Sequence, residues 1–167
     1  MSQTLRSAFD RVTGRENRRA AVRRGKTERF PFESKILGNT RDLTIYLPPG
    51  YDERDARRYP VLYMQDGQNL FDGRRAFAGN PWRLGEAVDE AVGKFAAEPL
   101  IIVGIDNTGP ARVDEYTPSR DHERGGGRAD DYGRMIIEEI KPMRVGYADL
   151  ARKMEEIQPF LKEWAGQ

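Results

Sequence analysis

The chain has 167 residues, the length of one domain, and its 28 basic and 27 acidic side chains nearly cancel, so no overall field favours nucleic acid or a membrane surface. It has no cysteine, which excludes disulfides, thiolate chemistry and cysteine-based zinc sites. A mean hydropathy of −0.77 with 33% charged residues predicts a thin core. No apolar stretch is long enough to span a bilayer and no signal-peptide core lies near Met1, so a soluble cytoplasmic protein is the expectation.

Residues 1–28 form a basic arm with eight basic side chains against three acidic ones, a net +5 that leaves −4 on the remainder. Leu5, Phe9 and Val12 recur at helical spacing. No aromatic residues alternate with the arginines as stacking platforms, so a solvated extension is expected rather than a nucleic-acid contact.

Phe30, Phe32 and Ile36 alternate, as do Leu43, Ile45 and Leu47, and Gly38-Asn39-Thr40 lies between the two runs. This pattern predicts an antiparallel hairpin, ended by Pro48-Pro49-Gly50 because proline removes a ladder donor. Val61 to Met64 is a short apolar run, read as a buried strand, which breaks at the turn pair Asp66-Gly67. Asn80 suits a helix N-cap and Pro81 a first helical position. Leu84, Ala87, Val88, Ala91, Val92 and Phe95 then follow at helical spacing, which predicts a helix lying on a sheet face.

Leu100 to Ile105 is apolar without alternation, the mark of a strand covered on both faces. Gly125-Gly126-Gly127 reads as a flexible loop, and no Gly-Lys-Ser/Thr follows to make a phosphate loop. Asp130 or Asp131 is the expected cap of a further helix with Tyr132, Met135, Ile136 and Ile140 inward, closed by Pro142. Residues 143–167 carry Tyr147, Leu150, Met154, Ile157, Leu161 and Trp164 at spacings of three and four, an amphipathic packing helix with Pro159 as a kink or restart.

Four blocks occur in order: Leu47-Pro48-Pro49-Gly50-Tyr51, Tyr59 to Phe71, Val103-Gly104-Ile105-Asp106-Asn107, and Asp114-Glu115-Tyr116-Thr117-Pro118. Together they resemble the esterase family of α/β-hydrolases that includes enterochelin-esterase-like and feruloyl-esterase-like proteins. The resemblance runs from about Arg29 to Pro142. It implies an α/β fold: a truncated α/β-hydrolase sheet, with an N-terminal antiparallel hairpin followed by parallel strands with helices. With the arm and the tail read above, it divides the chain into three segments: the arm at 1–28, the N-terminal half of the hydrolase domain at 29–142, and the tail helix at 143–167. By position, the loop after the central strand would supply an oxyanion-hole donor, the backbone N–H of Gln68 beside Gly67. The implied partner is a small-molecule ester, with no cofactor and no metal.

The resemblance also sets a requirement that the chain does not meet. The family nucleophile sits in a Gly-x-Ser-x-Gly elbow, followed by an acid and then a histidine. The serines here are Ser2, Ser7, Ser34 and Ser119, none of them in that pattern. The sole histidine, His122, lies in the charged stretch Arg120 to Arg124 and reads as solvated. No residue of the chain is therefore assigned as nucleophile, acid or base. Two readings stand. One is a serine carboxylic-ester hydrolase of this family, truncated and inactive as this chain, or active only if complemented. The other is a non-catalytic module that binds a partner through an exposed sheet edge or the basic arm. The edge would be Val61 to Met64, because the nucleophile-bearing strand pairs there in the family, and self-association through it is expected.

Overall fold

The computed structural model describes residues 24–51 and 57–143. Most of the basic arm and the tail helix expected over Tyr147 to Trp164 lie outside the described residues. Strands β1 (Lys26–Ser34) and β2 (Asn39–Leu47) form the predicted antiparallel hairpin, paired from Lys26↔Leu47 to Ser34↔Asn39. β1 starts at Lys26, so the strand begins inside the stretch read as the end of the arm. The ladder to Leu47 extends through these polar residues because backbone pairing needs no apolar side chain. Gly38 takes φ +67° at the turn, a conformation that favours glycine.

β3 (Val61–Gln65) and β4 (Ile101–Ile105) are parallel to each other, and β4 is antiparallel to β2. The sheet order is β1-β2-β4-β3. Helix α1 (Leu84–Gly93) makes the crossover between the parallel strands. After β4 come the short helix α2 (Arg112–Tyr116), a small hairpin of β5 (Arg120–Asp121) and β6 (Gly125–Gly126), and helix α3 (Ala129–Arg134). α3 continues as a π-helical turn over Met135–Ile140.

The alternation of strand side chains sorts the core into two layers. Leu43, Ile45 and Leu47 of β2 and Ile101, Val103 and Ile105 of β4 point to one face, where Tyr132, Met135 and Ile140 cover them. Tyr46 and Ile102 point to the other face with Leu70, and Leu84 and Val88 of α1 pack there. Every residue of β4 is buried, as its unbroken apolar run predicts.

Several local expectations change. The apolar run alone reads Val61 to Met64 as buried, but the strand is the edge expected where the nucleophile-bearing strand is lacking: among the described residues β3 pairs only with β4, and Val61 is 37% and Leu62 43% exposed. α1 begins at Leu84 rather than at Pro81, and Asn80 ends a 3-10 turn instead of capping a helix. The cause lies in the preceding loop. The Trp82 and Leu84 N–H groups donate to the Asn69 and Leu70 carbonyls, which holds 82–84 along the β3 loop before the helix can start. At its other end α1 stops at Gly93, so Phe95 stands 98% exposed with φ +56° instead of completing the apolar stripe.

The triple glycine is not a flexible loop. All three residues have positive φ, and a Cβ at Gly126 would overlap the Thr117 hydroxyl and the Ser119 carbonyl. The Asp114 carboxylate accepts the Gly126 N–H at 2.5 Å. Glycine is required here by close approach. Finally, α3 has Arg128 at its N-cap, and Asp130 and Asp131 occupy the first turn, where their charge suits the helix dipole.

Candidate functional site

The C-terminal ends of parallel strands are where α/β sheets build sites, because the chain leaves the ladder there with unpaired backbone groups. β3 ends at Gln65 and β4 at Ile105, and the loops that follow lie against each other. After β3, Asp66 adopts a left-handed conformation, φ 54° and ψ 43°, and the chain then turns through Gly67–Asn69 as a single 3-10 turn. The two bonds of this turn take the N–H of Asn69, to the Asp66 carbonyl, and of Leu70, to the Gly67 carbonyl. The N–H groups of Gly67 and Gln68 fall outside that pattern, as first-turn donors must.

Gly67 is dictated by packing. A Cβ there would lie 2.5 Å from the Gly104 carbonyl carbon and 2.7 Å from the Ile105 nitrogen. The reciprocal position is as tight: a Cβ on Gly104 would come within 2.9 Å of Leu70 Cδ1 and 3.2 Å of Gly67 Cα. Two glycines therefore let the turn settle directly on the end of β4. Gly67 and Gln68, with Arg29, Thr44, Phe71 and Arg75, line a cavity of about 320 Å³.

Charge is arranged on both sides of the turn. Arg112 grips the Asp66 carboxylate with Nε at 3.0 Å and a terminal nitrogen at 2.8 Å. Asn107 Nδ2 donates to the same carboxylate at 2.7 Å and the Tyr116 hydroxyl at 3.2 Å. The hydrogen bonds from Arg112, reinforced by those from Asn107 and Tyr116, outweigh burial and hold the Asp66 carboxyl below its usual value. The Asn107 N–H also donates to Gln68 Oε1 at 3.2 Å, which ties the β4 loop to the turn.

Asp106, the first residue after β4, behaves oppositely. It is 6% exposed, its Oδ1 has no hydrogen-bond partner, and burial pushes its carboxyl above the usual value in spite of Arg75. Arg75 contacts Asp106 and also reaches Asp42 at 3.1 Å. Nearer the surface, Arg74 pulls the exposed Asp72 carboxyl down to about 2.

Behind the site lies a fully buried ion pair. Arg41 donates to Glu115 at 2.7 and 3.0 Å, with both side chains wholly inaccessible. Asn39 donates to Glu115 at 2.9 Å and accepts from Arg41 at 2.7 Å, so the pair's oxygens and most of its donors are satisfied. The Arg41 guanidinium also lies 5.6 Å from the Tyr132 ring centroid. This pair anchors α2 to the hairpin, and α2 carries Arg112 and Tyr116 to Asp66.

The structure thus places Gly67 and Gln68, the two candidate residues of the sequence, together in the turn at the cavity wall. The partners that hold the turn, Asp66, Asn107, Arg112 and Tyr116, were missed by sequence reasoning as site residues. Asp66-Gly67 was read only as a turn pair, although an Asp tolerates the left-handed region and leaves a carboxylate beside the loop. Ser34 is buried with its hydroxyl donating to Glu139 at 2.6 Å, Ser119 is exposed, and Ser2 and Ser7 lie outside the described residues. His122 stands exposed at the tip of the β5–β6 hairpin. Among the described residues no three His, Cys, Asp or Glu side chains converge as a metal site, and no helix is long and apolar enough to cross a membrane.

Comparison with known proteins places this geometry. The chain is 35% identical over 85 residues to the uncharacterized protein YbbA of Bacillus subtilis, a match covering 51% of this chain and 29% of YbbA. The BES protein of Bacillus cereus superposes with a TM-score of 0.52 at 29% identity, over 70% of this chain and 44% of that one. An IroE-like serine hydrolase of Shewanella oneidensis does so with 0.50 at 25% identity, over 70% and 37%. The ferulic acid esterase AmCE1/Fae1A of Anaeromyces mucronatus, at 24% identity and a TM-score of 0.53 over 75% and 44%, shares the fold. The chain spans less than half the length of each of these relatives. The sheet is accordingly that of the α/β-hydrolase esterases. The family model described as "Putative esterase" matches residues 34–146, about two thirds of the chain, and the chain belongs to that esterase family.

Proposed function

We propose that these residues form the oxyanion side of a serine carboxylic-ester hydrolase site, with the Gln68 backbone N–H as one donor to the tetrahedral oxygen. One observation carries this reading: at the C-terminal end of β3 the turn's own bonds pass over the Gln68 N–H, and Gln68 lines the cavity. A donor held there acts without reorganising as charge develops on the substrate carbonyl. The substrate class is a small-molecule carboxylic ester, supported by membership of the esterase family.

The 167 residues hold no Gly-x-Ser-x-Gly. The nucleophile, and the second donor that follows it in this fold, have no counterpart among them. By themselves these residues therefore hydrolyse no ester. The protein should show no labelling by a fluorophosphonate probe and no turnover of p-nitrophenyl acetate. Stoichiometric labelling at any of its four serines would overturn that conclusion. The donor is tested in a chimera in which residues 34–146 replace the matching segment of the Shewanella serine hydrolase. Gln68→Pro in that chimera removes one N–H and should lower kcat about a hundredfold or more. An unchanged kcat would remove Gln68 from the mechanism.

A second reading is favoured by the exposure of β3. Its outer N–H and C=O groups face no strand among the described residues, and Val61 and Leu62 are exposed. Such an edge is a template for another strand, and a second copy of the chain supplies one with the same apolar sequence.

A further inference from the structure

The N–H of Gln68 is useful only if it points in one direction, so what fixes that direction is part of the site. We infer that Asp66 is the positioning residue for the Gln68 N–H; this rests on the donor reading above. Every polar group of Asp66 is engaged. Its carboxylate takes Arg112 at 3.0 and 2.8 Å, Asn107 at 2.7 Å and Tyr116 at 3.2 Å. Its N–H donates to the Tyr116 hydroxyl at 3.3 Å, and its carbonyl accepts the Asn69 N–H at 2.8 Å.

The partners of its carboxylate come from two elements, the loop after β4 and helix α2, so Asp66 is held from outside its own turn. The left-handed φ of 54° would relax readily in a residue without such anchors, because only glycine occupies that region at no cost. Downstream, Gly67 is wedged against the Gly104–Ile105 backbone and Gln68 Oε1 accepts from the Asn107 N–H. The Gly67–Gln68 peptide is thereby clamped between the Asp66 carboxylate on one side and β4 on the other. Asn107 serves both ends, and its own Oδ1 accepts the Gly109 N–H at 2.9 Å, which fixes its side chain.

An alternative role for Asp66, simple support of the fold, predicts different behaviour. Asp66→Gly keeps the left-handed backbone and deletes every side-chain anchor, so it separates conformation from positioning. In the full 167-residue chain, measured by 15N relaxation, the Gln68 amide should have an order parameter near about 0.85 in the wild type and below about 0.6 in Asp66→Gly, with Val103 unchanged in both. Arg112→Gln removes the bidentate partner from the half-exposed surface of α2 and should loosen the same amide in a protein that still melts cooperatively.

A pH titration adds a readout that fold support would not move. The charged and titrating groups facing Asp66 are Arg112 and Tyr116 of α2, and Asp106, with Arg75, lies across Gly67. The Gln68 amide shift should titrate below the ordinary aspartate range, persist in Asp106→Asn and vanish in Asp66→Asn. A Gln68 amide that stays rigid in Asp66→Gly and Arg112→Gln, or a titration that survives Asp66→Asn, overturns the assignment. Neither readout involves an ester, so a failure here is distinct from a failure of Gln68→Pro to lower kcat in the chimera.

Discussion

β3 and β4 lie side by side, parallel and in register from Val61↔Ile101 to Gln65↔Ile105, and both are apolar runs in the sequence. Their surroundings differ. All five residues of β4 are buried, whereas β3 has none buried and exposes Val61 and Leu62. The difference is one of neighbours: β4 sits between β2 and β3, while among the described residues β3 has a strand on one side only. Apolarity along a strand reports the burial its fold intends, and the pairing decides how much is realised.

The sharpest way to break this comparison is to place one charge in each strand. Val103→Asp buries an unpaired carboxylate in the middle of β4 and should cost more than about 4 kcal/mol, enough to abolish a cooperative melt. Leu62→Lys puts a charge where water already reaches and should change stability by no more than about 0.5 kcal/mol. Light scattering at low micromolar concentration then reads the edge itself. The wild type should associate and Leu62→Lys should be monomeric, since a lysine on an edge strand blocks strand addition. A monodisperse wild type, or a Leu62→Lys chain that still associates, would count against pairing through β3.

The same contrast holds for polar pairs. Arg41–Glu115 is inaccessible, while Arg134–Glu138 has both side chains about half exposed. Arg41→Met strands the Glu115 carboxylate in the core and should cost about 3–5 kcal/mol. Arg134→Met on the surface should leave the melt close to that of the wild type. The double variant Arg41→Met, Glu115→Leu should recover much of the loss, because no buried charge is then left alone. Denaturant melts of the three variants against the wild type decide this, and equal costs for Arg41 and Arg134 would refute the burial argument.

These pairs show where sequence reading succeeds. The β1–β2 hairpin, β4 and the inward set Tyr132, Met135 and Ile140 were legible because period and apolarity encode face burial directly. Gly67 and Gln68 were located by resemblance, not by pattern. Their anchors were not legible: Asp66 and Arg112 are 46 positions apart and Arg41 and Glu115 are 74 apart, and single charged letters carry no mark of a distant partner. The start of α1 was misplaced for a related reason. Asn80-Pro81 is a sound local start signal, and it was overridden by bonds from Trp82 and Leu84 back to Asn69 and Leu70.

Packing at the junction of the two strands gives a smaller effect. Gly67→Ala pushes a methyl into the β4 backbone and should cost about 1–3 kcal/mol. Gly133→Ala, in α3 with nothing within 4 Å of the added carbon, should stabilise by roughly 0.5–1 kcal/mol through helix propensity. A neutral Gly67→Ala would mean that the turn and β4 yield to each other, and the clamp on Gln68 would then be looser than the geometry implies.

The smallest effect separates the aspartates that end the two strands. Arg112, Asn107 and Tyr116 depress the Asp66 carboxyl, so its folded value lies below the 3.8 of a free aspartate. The stability it contributes is complete above 3.8 and is lost as pH falls through the lower folded value. Burial raises the Asp106 carboxyl, so its folded value lies above 3.8. Its contribution is complete below 3.8 and is lost as pH rises through that higher value. Asp66→Asn should therefore flatten the acid side of a stability profile, and Asp106→Asn the side above 3.8. Either substitution also changes hydrogen bonding, and Arg75 would keep Asp42 as an ion-pair partner in Asp106→Asn, but that offset is independent of pH. The slope carries the test, measured as denaturant midpoints at intervals from about pH 3 to about pH 7. Profiles of both variants parallel to the wild type would show that neither carboxyl is shifted, and the opposition between the ends of β3 and β4 would then be one of packing alone.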